Sequence, residues 1–346
     1  MVDWFALLKE AEGLLRINDE QALDYYLQIV ENQEELRAYS CWRIGEIYNR
    51  LGDPMSSFQY HRTAFELDPQ LTKFYLKEDH PSYGYNYSEP KEIHVTNCPL
   101  CGETGSPYAC VNVTTLLDFI PGFHPVRLWM CCDSCHHLFA CNYPENLSEL
   151  LSNSQFDFNL DPRTVRFPGI CQTLKQIQYL APGNRLLEVG VGAGEFAAVA
   201  KEMLFDVNGL DIRLPYATAV SNMLNIPVHT CDFQDFEASE NFDIIIMGDV
   251  IEHILDPIQA LRKAHSLLNE KGVLWISTPN FESAYSMVKK DADPMWRVVE
   301  HLNYFSFISL SKWLNQLGFE VVDYQVSSSY NGSMEVIAVK KPDEAA

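Results

Sequence analysis

Residues 186–194 read LLEVGVGAG, an apolar run that breaks into glycines at every second position. The apolar residues are typical of a buried parallel strand, and the sequence that follows, EFAAVAKEML, is typical of a helix. Gly190, Gly192 and Gly194 lack a Cβ, so the backbone can turn tightly there and approach a ligand closely. The stretch predicts a loop between a strand's carboxyl end and a helix's amino end, where open α/β sheets bind nucleotides.

The glycine pattern excludes two common nucleotide loops. A Walker loop would continue into Gly-Lys-Ser/Thr, which is not found after residue 194. In the dinucleotide fingerprint the third glycine falls three residues after the second, whereas here the interval is two. The loop instead begins with an acidic residue, Glu188, which favours a ligand that has a positively charged end and no phosphate.

Further polar residues follow at the ends of the next predicted strands. The strand VNGLDI contains Asp211, which suits the hydroxyls of a ribose. The strand VHTCD ends at Asp232 and is followed by Phe233, a pair that suits the amino group and the ring of an adenine. The apolar strand FDIIIMG is followed by Gly248 and Asp249. Parallel strands bring these ends to one edge of a sheet, so a nucleoside site is expected there.

These motifs resemble the class I, Rossmann-like S-adenosylmethionine-dependent methyltransferases over residues 165–341. The matching motifs are E-V-G-x-G-x-G at 188–194, G-L-D-I at 209–212, C-D-F at 231–233 and F-D-I-I-I-M-G-D-V-I-E-H at 242–253. The resemblance implies that the glycine loop lines the methionine end of the cofactor, that Asp211 holds the ribose and that Asp232 and Phe233 hold the adenine. The cofactor-binding residues it implies are Glu188, Gly190, Gly192, Gly194, Asp211, Ile212, Asp232, Phe233, Gly248 and Asp249.

The same resemblance implies an α/β fold with a seven-stranded sheet that ends in an antiparallel pair. The segments FEVVDYQVSS and MEVIAVKK read as that pair, and Asn331-Gly332 between them is a hairpin signal. The expected methyltransferase domain comprises residues 151–346.

Composition limits the choice of partners. The 346 residues carry a formal net charge of −22 and a pI near 4.7, which disfavours a nucleic-acid substrate. The amino terminus has no positive leader before an apolar core, and no apolar run approaches membrane-spanning length. We therefore expect a cytoplasmic protein without a membrane segment, whose ten cysteines are thiols or metal ligands.

Residues 1–76 are expected to form an all-α helical-repeat region. Within it, residues 38–71 resemble a tetratricopeptide repeat, a 34-residue helix–turn–helix unit. The positions that match are Gly45, Tyr48, Ser57, Ala64 and Pro69. His61 stands where an aromatic residue is usual. Two interpretations remain open: the region binds a protein partner, or it covers the next domain.

A cysteine pattern marks the segment 77–150. Two C-x2-C motifs, separated by thirty residues, contain Cys98, Cys101, Cys132 and Cys135. Four thiolates presented by two tight turns suit a structural zinc ion, so we expect a small zinc-binding module. Cys132 to His136 also spell C-x-x-C-H, a haem attachment motif, but haem would leave the first pair unexplained. A redox dithiol is disfavoured because no thioredoxin-like pattern surrounds the cysteines.

A zinc module before such a domain resembles the zinc-containing sugar methyltransferases of deoxysugar biosynthesis. The likeness continues through Glu300-His301 and Tyr304-Phe305-Ser306. In that family the histidine of the Glu-His pair lies near the acceptor, so His301 is a candidate base. The family's tyrosine three residues earlier is Val298 here.

Methyl transfer to oxygen or carbon requires removal of a proton from the acceptor. His253 and His301 are the candidate catalytic bases because both are expected at the carboxyl edge of the sheet and histidine is largely neutral at pH 7. A small-molecule acceptor such as a sugar or natural-product intermediate is the first hypothesis. A protein or peptide recruited by the helical repeats is the alternative, and a non-catalytic scaffold is a third.

Overall fold

The computed structural model describes residues 3–117, 119–153, 164–328 and 330–342. Residues 154–163, at the start of the expected methyltransferase domain, lie outside this set. The α-helices are α1 (Trp4–Leu14), α2 (Asp19–Asn32), α3 (Glu34–Leu51), α4 (Pro54–Leu67), α5 (Leu147–Asn153), α6 (Phe167–Leu180), α7 (Glu195–Glu202), α8 (Leu214–Leu224), α9 (Pro257–Leu267), α10 (Ala284–Lys289) and α11 (Phe307–Gln316).

The chain also forms thirteen strands within the described residues. They are β1 (Glu92–His94), β2 (Ser106–Asn112), β3 (Val126–Cys132), β4 (His137–Ala140), β5 (Asn142–Pro144), β6 (Arg185–Val189), β7 (Asp206–Asp211), β8 (Val228–Thr230), β9 (Phe242–Gly248), β10 (Leu268–Pro279), β11 (Asn303–Tyr304), β12 (Phe319–Val326) and β13 (Ser333–Lys340).

The amino-terminal helices α1–α4 begin and end where capping chemistry places them. Asp3, Asn18 and Asp53 accept hydrogen bonds from backbone N–H groups in the first turns of α1, α2 and α4. Pro54 follows Asp53 at the first position of α4, where its missing N–H costs nothing. Gly52 ends α3 in the left-handed conformation, with φ of 80°. These local signals explain why the region divides into short helices.

His61 fills the contact between α3 and α4. A Cβ added at Gly45 would lie 2.7 Å from the His61 ring, so the two helices approach closely only because Gly45 has no side chain. Ser57 Oγ lies 3.2 Å from His61 Nδ1. Burial lowers the pKa of His61 to about 4, so the ring is neutral at pH 7.

Seven strands form one large sheet in the order β12-β13-β10-β9-β6-β7-β8. The pairs β10–β9, β9–β6, β6–β7 and β7–β8 are parallel, whereas β13 is antiparallel to both β10 and β12. Ile244, Ile245 and Ile246 of β9 are fully buried, as expected for a parallel strand covered on both faces. The expected α/β fold, with a seven-stranded sheet that ends in an antiparallel pair, is therefore confirmed.

The closing hairpin of the large sheet also lies where the sequence predicts it. Gly332 adopts φ of 83°, and Ser327 N–H donates to Ser333 O at 2.9 Å across the turn. The final strand β13 is inserted between β12 and β10, which puts β12 at the sheet edge.

A second, four-stranded antiparallel sheet has the order β11-β4-β3-β2. Its outer strand β11 comes from the long connection after β10, so Asn303 pairs with Phe139 and Tyr304 with Leu138. The segments 77–150 and 151–346 thus contribute to the same sheet. The hydrophobic core is likewise continuous, because one cluster of buried side chains includes Phe65 of α4, Leu128 of β3 and Ile245 of β9.

Across the described ranges, no helix has both the length and the apolar character needed to cross a lipid bilayer.

Candidate active site

A large cavity opens at the carboxyl edge of the parallel strands. Its volume is about 1090 Å³, which exceeds the usual range for a pocket that holds one small ligand. Gly194 and His301 do not line it. The other cofactor-binding and catalytic residues expected from the sequence do, namely Glu188, Gly190, Gly192, Asp211, Ile212, Asp232, Phe233, Gly248, Asp249 and His253.

The glycine loop after β6 uses positive φ angles at alternate residues. The φ angles are 74° at Gly190, 48° at Gly192 and 81° at Gly194. A Cβ at Gly190 would lie 2.7 Å from Val250 Cγ2, whereas a Cβ at Gly192 would meet nothing within 4 Å. At Gly194 a Cβ would approach Val220 of α8 at 3.0 Å. Gly190 therefore allows a close backbone approach to the loop after β9, and Gly194 allows the start of α7 to pack on α8.

Glu188 places a buried carboxyl group beneath this loop. Its Oε2 has no hydrogen-bond partner within the described part of the chain. Burial raises the pKa of Glu188 well above its ordinary value, and the backbone N–H of Ala197 acts in the opposite direction. A partnerless carboxyl oxygen at a cavity wall suits a cationic group on a ligand, because an ion pair would then offset the cost of burying the charge.

Asp211 is buried at the end of β7, and its carboxylate is fully engaged. Gly192 N–H donates to Oδ2 at 3.1 Å and Arg213 N–H donates to Oδ1 at 2.9 Å. The Arg213 side chain also donates to both oxygens, at 3.0 and 3.1 Å, and its guanidinium lies 4.0 Å from the centre of the Tyr216 ring. Arg213 was not predicted from the sequence. Its side chain is hydrogen-bonded to Asp211, whose carboxylate is expected to hold a ribose.

Asp232 and Phe233 lie together just past β8. Asp232 Oδ1 accepts a hydrogen bond from Gln234 N–H at 2.8 Å, which holds this turn. The Phe233 side chain is buried, and Lys263 Nζ lies 5.9 Å from the centre of its ring. An apolar ring beside an exposed carboxylate is the arrangement that the sequence predicts for an adenine-binding end.

Asp249 follows β9 in a strained conformation, with φ of 54°. Its N–H donates to Ser277 O at 2.9 Å. Burial raises the pKa of its carboxyl to about 6, although the charge of Arg166 favours ionisation. Arg166 Nη2 lies 3.9 Å from Asp249 Oδ2, and Nη1 lies 3.0 Å from Glu195 Oε2.

Arg166 is a second cation that sequence reasoning missed. It lines the cavity, and its guanidinium lies 4.6 Å from the centre of the Tyr330 ring. Its buried Nε has no hydrogen-bond partner in the parts of the chain that are described. No motif surrounds it in the sequence, so only its three-dimensional position reveals it.

The two candidate bases stand next to each other, and only one of them lines the cavity. The rings of His253 and His301 are 4.9 Å apart and meet edge to face. His253 Nδ1–H donates to Glu300 O at 3.0 Å, and His301 Nδ1–H donates to Met295 O at 3.2 Å. Since a carbonyl can only accept, both rings carry the proton on Nδ1 and leave Nε2 with a lone pair.

Burial controls the protonation of this pair. It lowers the pKa of His253 to about 4 and lowers the pKa of His301 well below its usual value. Glu252 is buried beside them: a carboxylate oxygen of Glu252 and one nitrogen of each ring lie within 4.8 Å of one another. Thr278 Oγ1 donates to Glu252 Oε2 at 3.0 Å, and burial raises the pKa of Glu252 well above its ordinary value. Both imidazoles are therefore neutral at pH 7.

Comparison with known proteins supports the interpretation of the cavity. A family model described as Methyltransferase domain matches residues 164–324. The chain is 31% identical over 153 residues to a ubiquinone biosynthesis O-methyltransferase of Ruegeria pomeroyi, which covers 41% of this chain and 62% of that protein. It is 29% identical over 155 residues to the protein of the same name from Glaesserella parasuis, covering 40% and 66%.

Residues 164–324 are thus the part of the chain that resembles a methyltransferase domain. The chain spans less than two thirds of the length of the two curated relatives described above. Among solved structures, it is similar to magnesium protoporphyrin IX methyltransferase from Synechocystis PCC 6803 with bound S-adenosylhomocysteine. That match has 17% identity and a TM-score of 0.44, and it covers 56% of this chain and 98% of the other.

The segment between β10 and α11 of the methyltransferase domain is packed into the small sheet. Trp296 and Tyr304 are buried against Trp129 of β3 and do not line the cavity. Tyr304 OH donates to Asp293 Oδ2 at 2.9 Å. These aromatic residues therefore form core contacts.

The four cysteines ahead of the methyltransferase domain converge. Cys98 Sγ lies 3.5 Å from Cys135 Sγ, and Cys101 Sγ lies 3.4 Å from Cys132 Sγ. All four sulfurs lie within 4.8 Å of one another, and the cysteines are free thiols. A tetrahedral zinc site with bonds of about 2.3 Å has sulfurs roughly 3.8 Å apart, so the donor set fits that ion.

Two tight turns present these sulfurs. Gly102 N–H donates to Cys98 O and His136 N–H donates to Cys132 O, each at 2.9 Å, with φ of 78° at Gly102 and 51° at His136. A hydrogen bond from Cys135 lowers the pKa of the Cys98 thiol to about 6, which favours one thiolate in the group.

Proposed function

We propose that this protein is an enzyme that transfers a methyl group from S-adenosylmethionine to an uncharged small molecule, with His253 as the general base. The observation that carries the proposal is the position of His253. Its ring lies on the wall of the cavity that the cofactor-binding residues line, and Nδ1 is held by Glu300 O so that Nε2 is the proton acceptor.

The cavity wall supports a division of labour around the cofactor. When bound, the cofactor supplies an electrophilic methyl group on a positively charged sulfur. Glu188 and Asp249 would attract its ammonium group, Arg166 would take its carboxylate, and Asp211 would hold the ribose hydroxyls once Arg213 has moved. Asp232 and Phe233 would hold the adenine. Fixed groups of this kind orient the reacting atoms, which is worth about 7 kcal/mol in well-oriented systems.

His253 would remove the acceptor's proton. The acceptor's bond to hydrogen would break and a new N–H bond would form at Nε2, while the bound cofactor would supply the methyl group and retain the electron pair of the bond that it loses. The resulting imidazolium keeps its Nδ1–H bond to Glu300 O and later releases the Nε2 proton to solvent. The O-methyltransferase names of the curated relatives favour oxygen as the acceptor atom.

The charges along the cavity favour an uncharged acceptor. The described residues that line it include eight acidic side chains and three basic ones, so an anion is disfavoured. The wall beyond the cofactor-binding residues carries neutral amides and hydroxyls that suit a hydroxylated molecule such as a sugar or natural-product intermediate. These residues are Ser148, Gln172, Gln176, Gln325 and Ser328.

We further propose a three-part organisation in which residues 1–76 are tetratricopeptide-like, residues 77–150 bind a structural zinc ion and residues 151–346 carry out methyl transfer. The zinc ligands would be Cys98, Cys101, Cys132 and Cys135. The described residues along the cavity wall all come from positions 147–335, so the helical region contributes none of them. This supports a small acceptor over a protein substrate recruited by the repeats.

Cofactor binding and label transfer test the proposal. Calorimetry with S-adenosylhomocysteine should give 1:1 binding, and Asp211→Ala should weaken it at least tenfold. Incubation with S-[methyl-³H]adenosylmethionine and a lysate divided into metabolite and protein fractions should label a small molecule. Label in a protein band alone would support the alternative substrate class, and absence of cofactor binding would overturn the proposal.

A further inference from the structure

Arg127 of β3 carries a buried guanidinium group that reaches across to the methyltransferase domain. Its acceptors are three backbone carbonyls: Nη1 donates to His301 O and, at 3.4 Å, to Val298 O, while Nη2 donates to Val299 O at 2.5 Å. No carboxylate in the described residues forms an ion pair with it. Burial lowers its pKa to about 10, so it stays charged at pH 7.

The Arg127 guanidinium also lies 5.4 Å from the centre of the Trp129 ring. A buried cation without an ion-pair partner is costly, because an opposite charge in contact does not offset its desolvation. Its fork of donors does, however, fix the orientation of several peptide groups at once, which an ammonium group cannot do. The three carbonyls flank residue 300 on both sides. Glu300 O, which receives the Nδ1–H bond of His253 at 3.0 Å, is thereby held between fixed peptide groups.

Other bonds attach the same segment to the small sheet without touching the residues next to Glu300. Trp129 Nε1–H donates to Trp296 O at 3.0 Å, and Ala140 N–H donates to Leu302 O at 2.9 Å. Leu302 N–H then donates to Glu252 O at 2.8 Å, which brings the segment against the loop that carries His253. Arg127 is thus the side chain of the small sheet that orients the carbonyls around Glu300.

We propose that Arg127 is a positioning residue for methyl transfer: by holding residues 298–301, it keeps Glu300 O aligned with His253 Nδ1 and so keeps Nε2 available as the base. This inference rests on the proposed role of His253. It gives the segment ahead of the methyltransferase domain a part in the reaction, since a strand of that segment determines which ring nitrogen faces the acceptor.

Nitrogen-15 spectra of the histidine side chains in the full-length protein test the coupling directly. In the unmodified protein at pH 7, His253 should appear as a single neutral tautomer protonated at Nδ1. In Arg127→Lys, which keeps the charge but loses the fork, the two tautomers should mix. Trp129→Phe is the matched control: it removes one buried hydrogen bond from the same strand to the same segment but keeps an aromatic ring beside the Arg127 guanidinium, so the tautomer should not change.

The second measurement is the rate at which the protein methylates the small molecules of the metabolite fraction. Arg127→Lys should lower kcat about tenfold, a part of the 10²- to 10⁴-fold that a general base provides, and should leave S-adenosylhomocysteine affinity within twofold. Trp129→Phe should retain kcat. A loss of kcat together with unfolding or loss of cofactor binding in Arg127→Lys would indicate a structural role and overturn the inference.

A pH profile separates the charge of Arg127 from its geometry. The groups around His253 are His301, the carboxyl of Glu252, and the cations Arg213 and Arg127, which lower its pKa in addition to burial. Arg127→Met removes one cation, so the acidic limb of the kcat profile should move to higher pH, whereas Arg127→Lys should leave it in place.

The outcomes for His253 and for Arg127 can be told apart. If His253→Gln retains turnover, the proposed base is wrong, whatever the spectra show. If His253→Gln abolishes turnover but unmodified protein shows His253 protonated at Nε2, or Arg127→Lys keeps a single Nδ1–H tautomer with full kcat, the positioning role of Arg127 is wrong. The measurement on unmodified protein remains decisive even if an Arg127 variant does not fold.

Discussion

The two sheets of this protein are stabilised by different chemistry. The large sheet is built mostly from apolar parallel strands, and the carboxyls with raised pKa values at its edge include the buried Glu188 and the half-buried Asp249. The small sheet is antiparallel and depends on buried neutral histidines, polar bonds to the segment after β10 and a group of four cysteines. The large sheet is therefore specified by local contacts, whereas the small sheet depends on residues that are distant in the chain and, as we propose, on a zinc ion.

The largest expected effect is on the cysteine group. Cys132→Ser should release zinc and unfold the small sheet while the large sheet remains, because structural zinc contributes on the order of 10 kcal/mol in small domains. Metal analysis combined with hydrogen exchange on β3 and β6 checks this. Cys131→Ser is the control, since Cys131 is adjacent in sequence but lies outside the group of four. Equal loss of protection in both strands would show that the sheets are not separately stabilised.

Substitution of His253 and of His301 tests the contact between the two sheets. His253→Gln should lower turnover by about 10² to 10⁴ with unchanged affinity for S-adenosylhomocysteine, because it removes the proposed base. His301→Gln should have a smaller effect on kcat, since His301 stands behind His253 and does not line the cavity. Steady-state kinetics on both variants shows which histidine is the base. A greater loss of kcat for His301→Gln than for His253→Gln would reverse the assignment.

Substitution of two glycines tests whether local contacts specify the large sheet. Gly190→Ala should destabilise the protein by more than the 1–2 kcal/mol of a left-handed residue, because its Cβ would also collide with Val250. Gly192→Ala has a positive φ but no neighbour within 4 Å, so it should cost only about 1–2 kcal/mol. Urea unfolding at pH 7 measures both. Equal destabilisation would mean that the contact with Val250 relaxes freely.

Acid should weaken the side of the molecule that contains the small sheet. Burial lowers the pKa of His61 to about 4 and that of His124 to about 3, below the unfolded value of about 6.5. The stability contribution of each neutral ring is therefore present above pH 6.5 and is lost as pH falls towards 4, by about 1.4 kcal/mol per pH unit for each histidine.

Asp249 at the large sheet has the opposite sign. Its folded pKa of about 6 lies above the unfolded value, so its contribution is present below pH 3.8 and is lost as pH rises through 6. Urea unfolding should be measured at pH 7 and at pH 5. Hydrogen exchange at the same two pH values should show that the small-sheet region is less stable at pH 5. His61→Phe should reduce this dependence, and an unchanged slope in that variant would contradict the assignment to His61.

Much of the large sheet follows from sequence because its information is local. The apolar run before Gly190, the acids after two strands and the Asn331-Gly332 turn each specify an element from neighbouring residues. The cofactor-binding residues expected from these motifs gather on one cavity because parallel strands bring their carboxyl ends together. The structure shows that these residues lie together, and the role of each residue stays a prediction.

The remaining features depend on contacts between residues far apart in the chain. Arg127 and Glu300 are separated by more than 170 positions, and Arg127 stands in no recognisable motif. Arg166 and Arg213 are positioned by the acids with which they pair. The Arg213 side chain is hydrogen-bonded to Asp211, and Arg166 lies between Glu195 and Asp249. Periodicity and spacing describe single elements, so they cannot reveal which side chain crosses from one element to another.

The pairing of β11 with β4 has a consequence during synthesis. β4 emerges from the ribosome roughly 160 residues before Asn303 and Tyr304, which at about 5–20 residues per second is a delay on the order of ten seconds or more. Throughout that time the nascent chain displays a bare strand edge, a template for aggregation. Newly made protein should therefore depend on chaperones until the translation of residue 304, and expression at lower temperature should raise the yield.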